Sequence, residues 1–518
     1  MSWFRRERIQ LAGLLGGPLL GVLAYALLPE HYANIDGELT ALDHGARATI
    51  AVMAWMATWW LTEAIDISAT ALLPIGVFPI LGILTIGQAT APYGSDLIFL
   101  FMGGFIIALS MQRWGLDRRI ALATLRIVGS RPVNIVGGFM LVTAFISMWV
   151  SNTATAALML PIAISIIGLV LEQNGRNAAR AGTLPAEGTA ERNFALCLML
   201  AIAYASSIGG IATIIGSPPN GILVQFLALQ YGREISFAEW LLIGGPVALA
   251  FLPVAWLLLT RILYPIRMPS IEGGRALFER EFRKLGPMNQ GEWMTLIVFA
   301  CTASIWISRP LLVEISVGAG TAAWRPFAGF SDGGIAIIAA LSLFLLPASW
   351  KSTGRTRSRV MDWATAEKLP WGVLILFGGG LSLAAAIQAN GVAEFLGAQT
   401  TVLQGMPTIV LVLAVTTGVI FLTELTSNTA TTATLVPILG GLSTGLAVAP
   451  EMLVIPATIA ASCAFMLPVG TPPNAIVFGS GYVTIPQMAK AGFWLNIAGV
   501  AIITAVLYAI VLPMLATL

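Results

Sequence analysis

The sequence predicts an all-α polytopic membrane protein of about 11 transmembrane helices with two re-entrant hairpins, because many apolar stretches reach the ~20 residues that cross a bilayer. Of its 518 residues, 57% are hydrophobic and 10% are charged. A typical soluble domain carries roughly 25% charged residues. The second observation is a polar tripeptide, Ser-Asn-Thr, which occurs twice within apolar sequence, at 151–153 and at 427–429. Composition therefore argues against a soluble fold, and the repeat indicates two related halves.

The N-terminal elements follow from the apolar runs and from the residues that interrupt them. The predicted spans before the first tripeptide are 10–28, 48–65, a short proline-marked run at 69–84, and a fourth that starts near residue 96. The first run follows three arginines but lacks a small-residue cleavage pattern, so it is interpreted as a retained helix. The mixture of arginines and apolar residues at 113–131 predicts a helix that lies along the membrane surface.

Each Ser-Asn-Thr tripeptide is predicted to form the tip of a re-entrant hairpin. Apolar arms at 133–150 and 154–171 flank the first tip, and the second hairpin occupies residues 408–448. Amide and hydroxyl groups are costly to bury without partners. Irregular backbone at membrane depth occurs only where it lines a cavity or is buried in protein. Polar tips of this kind therefore favour a ligand site.

The spans at 193–231 and 454–482 are each interrupted by one repeated pentapeptide. It reads Gly-Ser-Pro-Pro-Asn at 216–220 and Gly-Thr-Pro-Pro-Asn at 470–474. Two consecutive prolines break a helix and free backbone carbonyl groups. The other predicted spans after the first hairpin are 238–263, 292–307, 333–346, 371–388 and 493–515.

The distribution of basic residues fixes the predicted topology. With a cytoplasmic N-terminus and two hairpins, every Lys and Arg is cytoplasmic except Arg47, Arg233, Arg309 and Arg325. A single crossing at the first tripeptide would instead place the basic loops 267–284 and 351–368 outside, against the positive-inside rule. An odd number of predicted crossings separates the two hairpins, so the repeat is predicted to be inverted, as in many secondary transporters.

Five consecutive regions follow from this pattern. They are N-terminal scaffold helices at 1–95, the first inverted-repeat half of the transport region at 96–231, scaffold helices with cytoplasmic loops at 232–370, the second inverted-repeat half at 371–484, and a C-terminal helix at 485–518. A Leu-Phe-x-Gly-Gly sequence also repeats, at 100–104 and 376–380, and its glycines serve either helix packing or function.

The chemistry of the tips suits ions. Uncharged oxygens from Ser, Asn and Thr, together with freed carbonyls, suit a hard monovalent cation such as Na⁺. Helix N-termini carry partial positive charge and favour a carboxylate or sulfate oxygen. No Lys or Arg lies near either tip in the sequence, so an anion would depend on bound cations, which predicts coupled transport.

These motifs resemble those of the divalent anion/sodium symporter (DASS) family of dicarboxylate, citrate and sulfate carriers. The resemblance rests on Ser-Asn-Thr followed by Ala-Thr, on the paired proline breaks and on Phe-Met-Gly-Gly-Phe at 101–105. It implies a homodimer that works by an elevator mechanism in the bacterial inner (plasma) membrane. The implied function is Na⁺-coupled symport of a C4-dicarboxylate such as succinate, with no cofactor and no nucleic-acid partner. Sodium-independent dicarboxylate exchange and sulfate or citrate transport are the alternatives.

The resemblance also implies site residues by position. One sodium site would use Ser147, Ser151, Asn152 and the backbone at Gly216. The other would use Thr423, Thr426, Asn428 and the backbone at Gly470. The substrate would meet Asn152, Thr153, Asn428 and Thr429, with Ser217, Thr471 and Pro472 lining the pocket.

Three further signals compete with this interpretation. Gly441–Gly445 matches the Gly-x-Ser-x-Gly pattern of hydrolases, but the histidines, His31 and His44, both lie in one loop, so an enzyme is not predicted. A channel would need a continuous polar path, and the sequence offers two isolated polar tips. Glu424, at membrane depth, is either a functional carboxylate or a hydrogen-bonding partner of neighbouring segments.

Overall fold

A computed structural model describes residues 2–34, 37–178, 190–271, 273–317, 324–349, 358–400 and 404–513. For residues 2–6 and 172–178 only the backbone is described. The predicted basic loop at 351–368 therefore lies partly outside the described residues.

The described residues are mostly helical, which confirms the all-α prediction. They also include one short β-ribbon. The helices are α1 Ser2–Leu27, α2 His44–Thr62, α3 Ile67–Thr70, α4 Leu73–Ile80, α5 Ile86–Thr90, α6 Asp96–Trp114, α7 Leu116–Leu125, α8 Pro132–Ser147, α9 Asn152–Ala178, α10 Ala190–Ile211, α11 Pro218–Tyr231, α12 Phe237–Leu257, α13 Gly274–Lys284, α14 Gln290–Leu312, α15 Asp332–Leu345, α16 Trp363–Ala366, α17 Trp371–Ala389, α18 Val392–Ala398, α19 Thr408–Thr423, α20 Asn428–Gly445, α21 Glu451–Ala461, α22 Pro472–Gly479 and α23 Ile485–Val506. Strands β1 (His31–Ala33) and β2 (Leu39–Ala41) pair antiparallel.

The helix lengths bear on the predicted hairpins. Eight helices in the described part of the chain are long and apolar enough to cross a membrane. In contrast, α8 and α19, the first arms of the two hairpins, have 16 residues each. At about 1.5 Å per residue such a helix spans ~24 Å, less than the ~30 Å hydrocarbon core. Neither of these first arms is long enough to cross the bilayer alone, whereas α9, the second arm of the first hairpin, is one of the eight long apolar helices. The re-entrant path stays a prediction.

The buried centre of the first half is α10. The apolar segment of α10 that could span a membrane is completely buried, whereas only 17% of the corresponding segment is buried in α1 and in α14. Helix α10 packs against α8, α9, α12 and α22. A Cβ atom added at Gly209 would lie 2.3 Å from the Ala144 carbonyl oxygen, so the glycine allows α10 and α8 to approach closely.

The two halves also contact one another through equivalent residues. Phe101 and Phe377, which occupy matching repeat positions, pack edge to face with ring centroids 4.7 Å apart. Helix α11 of the first half packs on α20 and α21 of the second, and α10 packs on α22. The repeats therefore meet along their hairpins and broken spans.

The repeated glycines serve helix packing. A Cβ atom at Gly103 would lie 2.6 Å from the Ala336 carbonyl oxygen on α15. Its repeat equivalent, Gly379, would bring a Cβ atom 2.4 Å from the Ala71 carbonyl oxygen just after α3. The packing alternative thus accounts for Gly103 and Gly379, which hold α6 against α15 and α17 against the end of α3.

The stretch 113–131, predicted to lie along the membrane surface as a helix, contains helix α7, and ion pairs hold α7 against its surroundings. Arg119 Nε lies 2.8 Å from Glu292 Oε1 in a buried pair. Arg126 Nε lies 2.6 Å from Glu279 Oε2 on α13. Two charged helices, α7 and α13, therefore pack together next to the first hairpin.

Three predicted segments differ from the structure. The span at 69–84 is divided into α3 and α4, because Pro74 has no N–H and its ring prevents a continuous helix. Helix α23 begins at Ile485, well before the predicted residue 493, since Thr484 forms a capping box with Gln487. The ribbon β1–β2 lies in the loop at 29–46, for which no strand was predicted.

Candidate functional site

The first tip is a cluster of oxygen atoms around a fully buried serine. Helix α8 ends at Ser147 and α9 begins at Asn152. Ser147 Oγ lies 2.6 Å from Asn152 Oδ1 and 2.7 Å from the Ser206 carbonyl oxygen on α10. A hydroxyl has a single proton and can donate to only one of these acceptors at a time. Three oxygens therefore converge on one proton, an arrangement that suits a cation.

The second tip repeats this arrangement. Thr423, the last residue of α19, is buried, and α20 begins at Asn428. Thr423 Oγ1 lies 2.8 Å from Asn428 Oδ1 and 2.9 Å from the Ala461 carbonyl oxygen at the end of α21. Hydroxyl, amide and carbonyl oxygens thus occupy equivalent places in the two halves, although their partners are far apart in sequence.

The remaining tip residues differ between the halves. Ser151 and Thr153 are exposed, and Ser151 Oγ accepts the backbone N–H of Ala154 at 3.3 Å. In the second half, Thr426 Oγ1 lies 3.0 Å from the Leu422 carbonyl oxygen and 2.7 Å from Thr431 Oγ1. The hydroxyl of Thr426 is therefore engaged within its own hairpin. Thr429 is half-buried.

The first proline break brings its backbone to the first tip. Helix α10 ends at Ile211, and a single 3₁₀ turn, Ile214–Gly216, precedes α11. A Cβ atom added at Gly210 would lie 2.5 Å from Asn152 Oδ1 and 2.9 Å from the Gly216 carbonyl oxygen. The structure therefore brings together Ser147, Asn152 and the backbone at Gly216, three of the residues expected for one cation site.

The second break lies against the second hairpin. A Cβ atom added at Gly470 would lie 3.4 Å from both the backbone oxygen and Oε2 of Glu424. Thr471 caps α22 by accepting the backbone N–H of Asn474 at 3.3 Å, whereas Pro472 is exposed. The backbone at Gly470 is thus adjacent to the tip that carries Thr423 and Asn428.

The two broken spans touch at a pair of serines. Ser217 Oγ lies 3.3 Å from Ser462 Oγ, and both residues are buried. Ser462 was not among the predicted site residues, because a lone serine at the end of an apolar segment gives little signal. Ser206 and Ala461 were also missed, since they contribute backbone carbonyls.

Glu424 is bound to its neighbours by several hydrogen bonds. Its carboxylate accepts the backbone N–H groups of Phe465, Met466 and Leu467 and the side-chain amide of Asn496. The repeat equivalent, Met148, has no carboxylate, and there its backbone oxygen accepts the hydroxyl of Thr213 instead. The hydrogen-bonding alternative for Glu424 is therefore realised: it connects the second hairpin to the second break and to α23.

The serine of the Gly-x-Ser-x-Gly pattern has an ordinary helical environment. Ser443 Oγ donates to the Gly440 carbonyl oxygen at 2.6 Å within α20. His44 lies instead at the start of α2, where its ring nitrogens contact the Tyr25 hydroxyl and the Leu81 carbonyl. The structure thus does not bring a histidine base to Ser443.

Two matched oxygen clusters at helix breaks within a membrane-spanning helical fold define a secondary transporter. The model of the family described as "Sodium:sulfate symporter transmembrane region" matches residues 39–515, and the chain belongs to this family. This is a family of transporters, so the chain is a transporter and not an enzyme.

Named relatives agree with this assignment. A sodium-dependent dicarboxylate transporter, SdcS, from Staphylococcus saprophyticus is 42% identical over 506 residues, 98% of this chain and 92% of the relative. SdcS from Staphylococcus aureus (strain bovine RF122 / ET3-1) is 42% identical over 499 residues, 96% of this chain and 91% of the relative.

Two solved structures share the fold at low sequence identity. The YdaH transporter of Alcanivorax borkumensis has a TM-score of 0.54 at 13% identity, covering 96% of this chain and 97% of that one. MtrF of Neisseria gonorrhoeae has a TM-score of 0.55 at 13% identity, covering 96% of this chain and 94% of that one. These matches confirm the predicted helical transporter fold.

Proposed function

We propose that the chain is a secondary active transporter that couples Na⁺ to the symport of a divalent anion, a C4-dicarboxylate such as succinate. Relatives with 42% identity over nearly the whole chain are named sodium-dependent dicarboxylate transporters. The observation that carries the proposal is the pair of equivalent, proton-poor oxygen clusters around Ser147 and Thr423. Na⁺ is the coupling ion, and no cofactor takes part.

Each cluster would hold one sodium ion. The first site would comprise Ser147, Ser151, Asn152 and the Gly216 backbone, and the second Thr423, Thr426, Asn428 and the Gly470 backbone. The hydroxyl of Ser147 or Thr423 would keep its proton, turn it away from the amide oxygen and coordinate Na⁺ through an oxygen lone pair. In the second site the hydroxyl of Thr426 already contacts the Leu422 carbonyl oxygen and Thr431 Oγ1, and it would coordinate Na⁺ through a remaining lone pair.

The substrate would lie between the two tips. Helices α9 and α20 begin at Asn152 and Asn428, so their N-terminal N–H groups and partial positive charge favour a carboxylate at each end. The contacting residues would be Asn152, Thr153, Asn428 and Thr429, with Ser217, Thr471 and Pro472 around them. Two similar half-sites suit an anion with two carboxylates, and the bound cations would compensate its charge.

Elevator movement of an inverted repeat would give alternating access. The close packing of Gly103 on Ala336 and of Gly379 on Ala71 supports keeping α6 and α17 with the scaffold. The moving part would then consist of the hairpins and broken spans within regions 96–231 and 371–484. Regions 1–95, 232–370 and 485–518 would supply the remaining scaffold helices and the C-terminal helix. The functional unit would be a homodimer in the bacterial inner membrane with cytoplasmic N-termini.

Uptake into proteoliposomes tests this function. An inward Na⁺ gradient is expected to drive accumulation of radiolabelled succinate, and replacement of Na⁺ by K⁺ is expected to abolish it. Equal uptake in K⁺ that needs internal dicarboxylate would instead identify an exchanger. Uptake of sulfate or citrate in place of succinate would change the substrate class. Asn152→Ala and Asn428→Ala are expected to abolish transport in folded protein, and near-normal transport in both would contradict the site assignment.

A further inference from the structure

One buried asparagine closes each proline break. Asn220 Nδ2 lies 2.9 Å from the Gly210 carbonyl oxygen and 2.8 Å from that of Thr213. In the second half, Asn474 Nδ2 lies 3.0 Å from the carbonyl oxygens of both Ala464 and Leu467. Both side chains are fully buried. Each amide therefore supplies a donor to a carbonyl at the broken helix end, that of Gly210 or Ala464. It gives a second donor to the carbonyl of Thr213 or Leu467, which also accepts the backbone N–H of Gly216 or Gly470.

The orientation of both amides is fixed by these contacts. A flipped amide would place its oxygen against two carbonyl oxygens, which is repulsive. In the observed orientation, Oδ1 of Asn220 and Oδ1 of Asn474 have no hydrogen-bond partner among the described residues. An unsatisfied buried oxygen lowers stability. The same unfavourable feature at both breaks indicates that these residues are present for their N–H donors.

The carbonyls that accept the Asn220 and Asn474 amides adjoin the proposed cation ligands. A Cβ atom added at Gly216 would lie 2.7 Å from the Gly210 carbonyl oxygen, the acceptor of the Asn220 amide. Gly210 in turn borders Asn152 Oδ1. In the second half, Ala464 is the clamped residue, and its Cβ atom lies 3.2 Å from the position of a Cβ added at Gly470. In both halves the amide thus holds the residue against which the ligand glycine packs.

We propose that Asn220 and Asn474 are positioning residues that set the geometry of the two sodium sites without touching the ions. The inference rests on the proposed function and deepens it. An ion site binds tightly when surrounding hydrogen bonds hold its oxygens in place before the ion arrives. Without the amide, the carbonyls of the break reorient, and the backbone at Gly216 or Gly470 leaves its binding position.

The test compares three alanine variants in Na⁺-dependent succinate uptake. Asn220→Ala and Asn474→Ala are each expected to raise the half-saturating Na⁺ concentration about tenfold, the lower end of the loss caused by removing partners of metal ligands. At saturating Na⁺, the half-saturating succinate concentration is expected to be unchanged. The matched control is Asn390→Ala, because Asn390 likewise donates to two carbonyls, those of Ile83 and Ala386, but lies outside the breaks. Its Na⁺ dependence is expected to equal that of the wild type.

Serine substitutions make the result interpretable if the alanine variants fold poorly. Asn220→Ser and Asn474→Ser keep one donor and are expected to give intermediate Na⁺ dependence. Wild-type hydrogen exchange provides a third measurement, in which Na⁺ should slow exchange at 211–217 and 465–471. Unchanged Na⁺ dependence in folded variants, or exchange unaffected by Na⁺, would overturn the inference. Wild-type uptake that is independent of Na⁺ would instead overturn the proposed function.

Discussion

The hydroxyl oxygen of Ser217 lies 3.3 Å from that of Ser462, so the two broken spans meet at their breaks. These residues belong to opposite halves of the chain and are separated by 245 positions. A solute bound between the hairpin tips would therefore contact both halves at once. This closeness would allow the two proposed, uncharged half-sites to act as one binding site.

Loss of either serine hydroxyl should weaken substrate binding. Ser217→Ala and Ser462→Ala are expected to raise the half-saturating succinate concentration about tenfold, equivalent to roughly 1.4 kcal/mol for a lost hydrogen bond to a charged group. Uptake at varied succinate and saturating Na⁺ measures this. Ser443→Ala is the control, because its hydroxyl donates only within its own helix. An unchanged succinate dependence in both variants would remove the serine pair from the substrate site.

The buried hydroxyls of the tips should control Na⁺ affinity. Ser147→Ala and Thr423→Val each remove one oxygen from a cluster, and we expect the half-saturating Na⁺ concentration to rise about tenfold, by roughly 1.4 kcal/mol. Thr423→Ser keeps the oxygen and should behave like the wild type. Na⁺-activation curves of succinate uptake distinguish these outcomes. Unchanged Na⁺ activation in Thr423→Val, or a rise in Thr423→Ser alone, would contradict a role for the oxygen.

Glu424 should contribute strongly to stability. Glu424→Ala leaves the N–H groups of residues 465–467 without their carboxylate partner. Each unsatisfied buried donor costs about 1–3 kcal/mol, so for three donors a total loss of at least about 3 kcal/mol is expected. Thermal unfolding in detergent measures it, with Met148→Ala as the control at the equivalent position of the first half. A Glu424→Ala protein as stable as the Met148→Ala protein would show that these hydrogen bonds contribute little.

Asp117 on α7 should make stability depend on pH. Burial raises the pKa of Asp117 to about 6, from an ordinary value of 3.8, although the neighbouring Arg118 opposes the shift. Between these pKa values the folded protein keeps a proton that the unfolded chain releases, so this contribution to stability falls as pH rises and is constant above about pH 7.

Asp117→Asn removes this pH-dependent penalty. We expect the variant to gain about 3 kcal/mol over the wild type at pH 8 and only about 0.5 kcal/mol at pH 4. Unfolding temperatures of both proteins across this pH range provide the measurement. A difference that stays constant between pH 4 and pH 8 would show that the aspartate is ionised throughout.

The sequence predicts the site most clearly where the two halves repeat the same short motif. The hairpin tips and the proline breaks were predicted because Asn152 has its equivalent in Asn428 and Gly216 in Gly470. The ends of α8 and α19 follow, since Ser, Thr and Asn favour helix ends over helix interiors. Their assigned ligand roles stay predictions.

Contacts that depend on backbone atoms or on distant segments gave no such signal. The Ser206 and Ala461 carbonyls enter the clusters because α10 and α21 pack against the hairpins. Every residue type carries a backbone carbonyl, so the residue types at 206 and 461 do not indicate this role. The partners of Glu424 lie 41 to 72 residues further along the chain, and only the fold brings them together. The short β-ribbon also has too few residues to show a strand pattern.

The most direct test of the account is a cryo-electron microscopy map of the protein with Na⁺ and succinate. The account predicts elongated density between the amide groups of Asn152 and Asn428, and one compact density beside each of Ser147 and Thr423. Replacing Na⁺ with K⁺ should remove all three features. Succinate density elsewhere, or density at the tips that persists unchanged in K⁺, would contradict the claim that the matched tips form a sodium-dependent anion site.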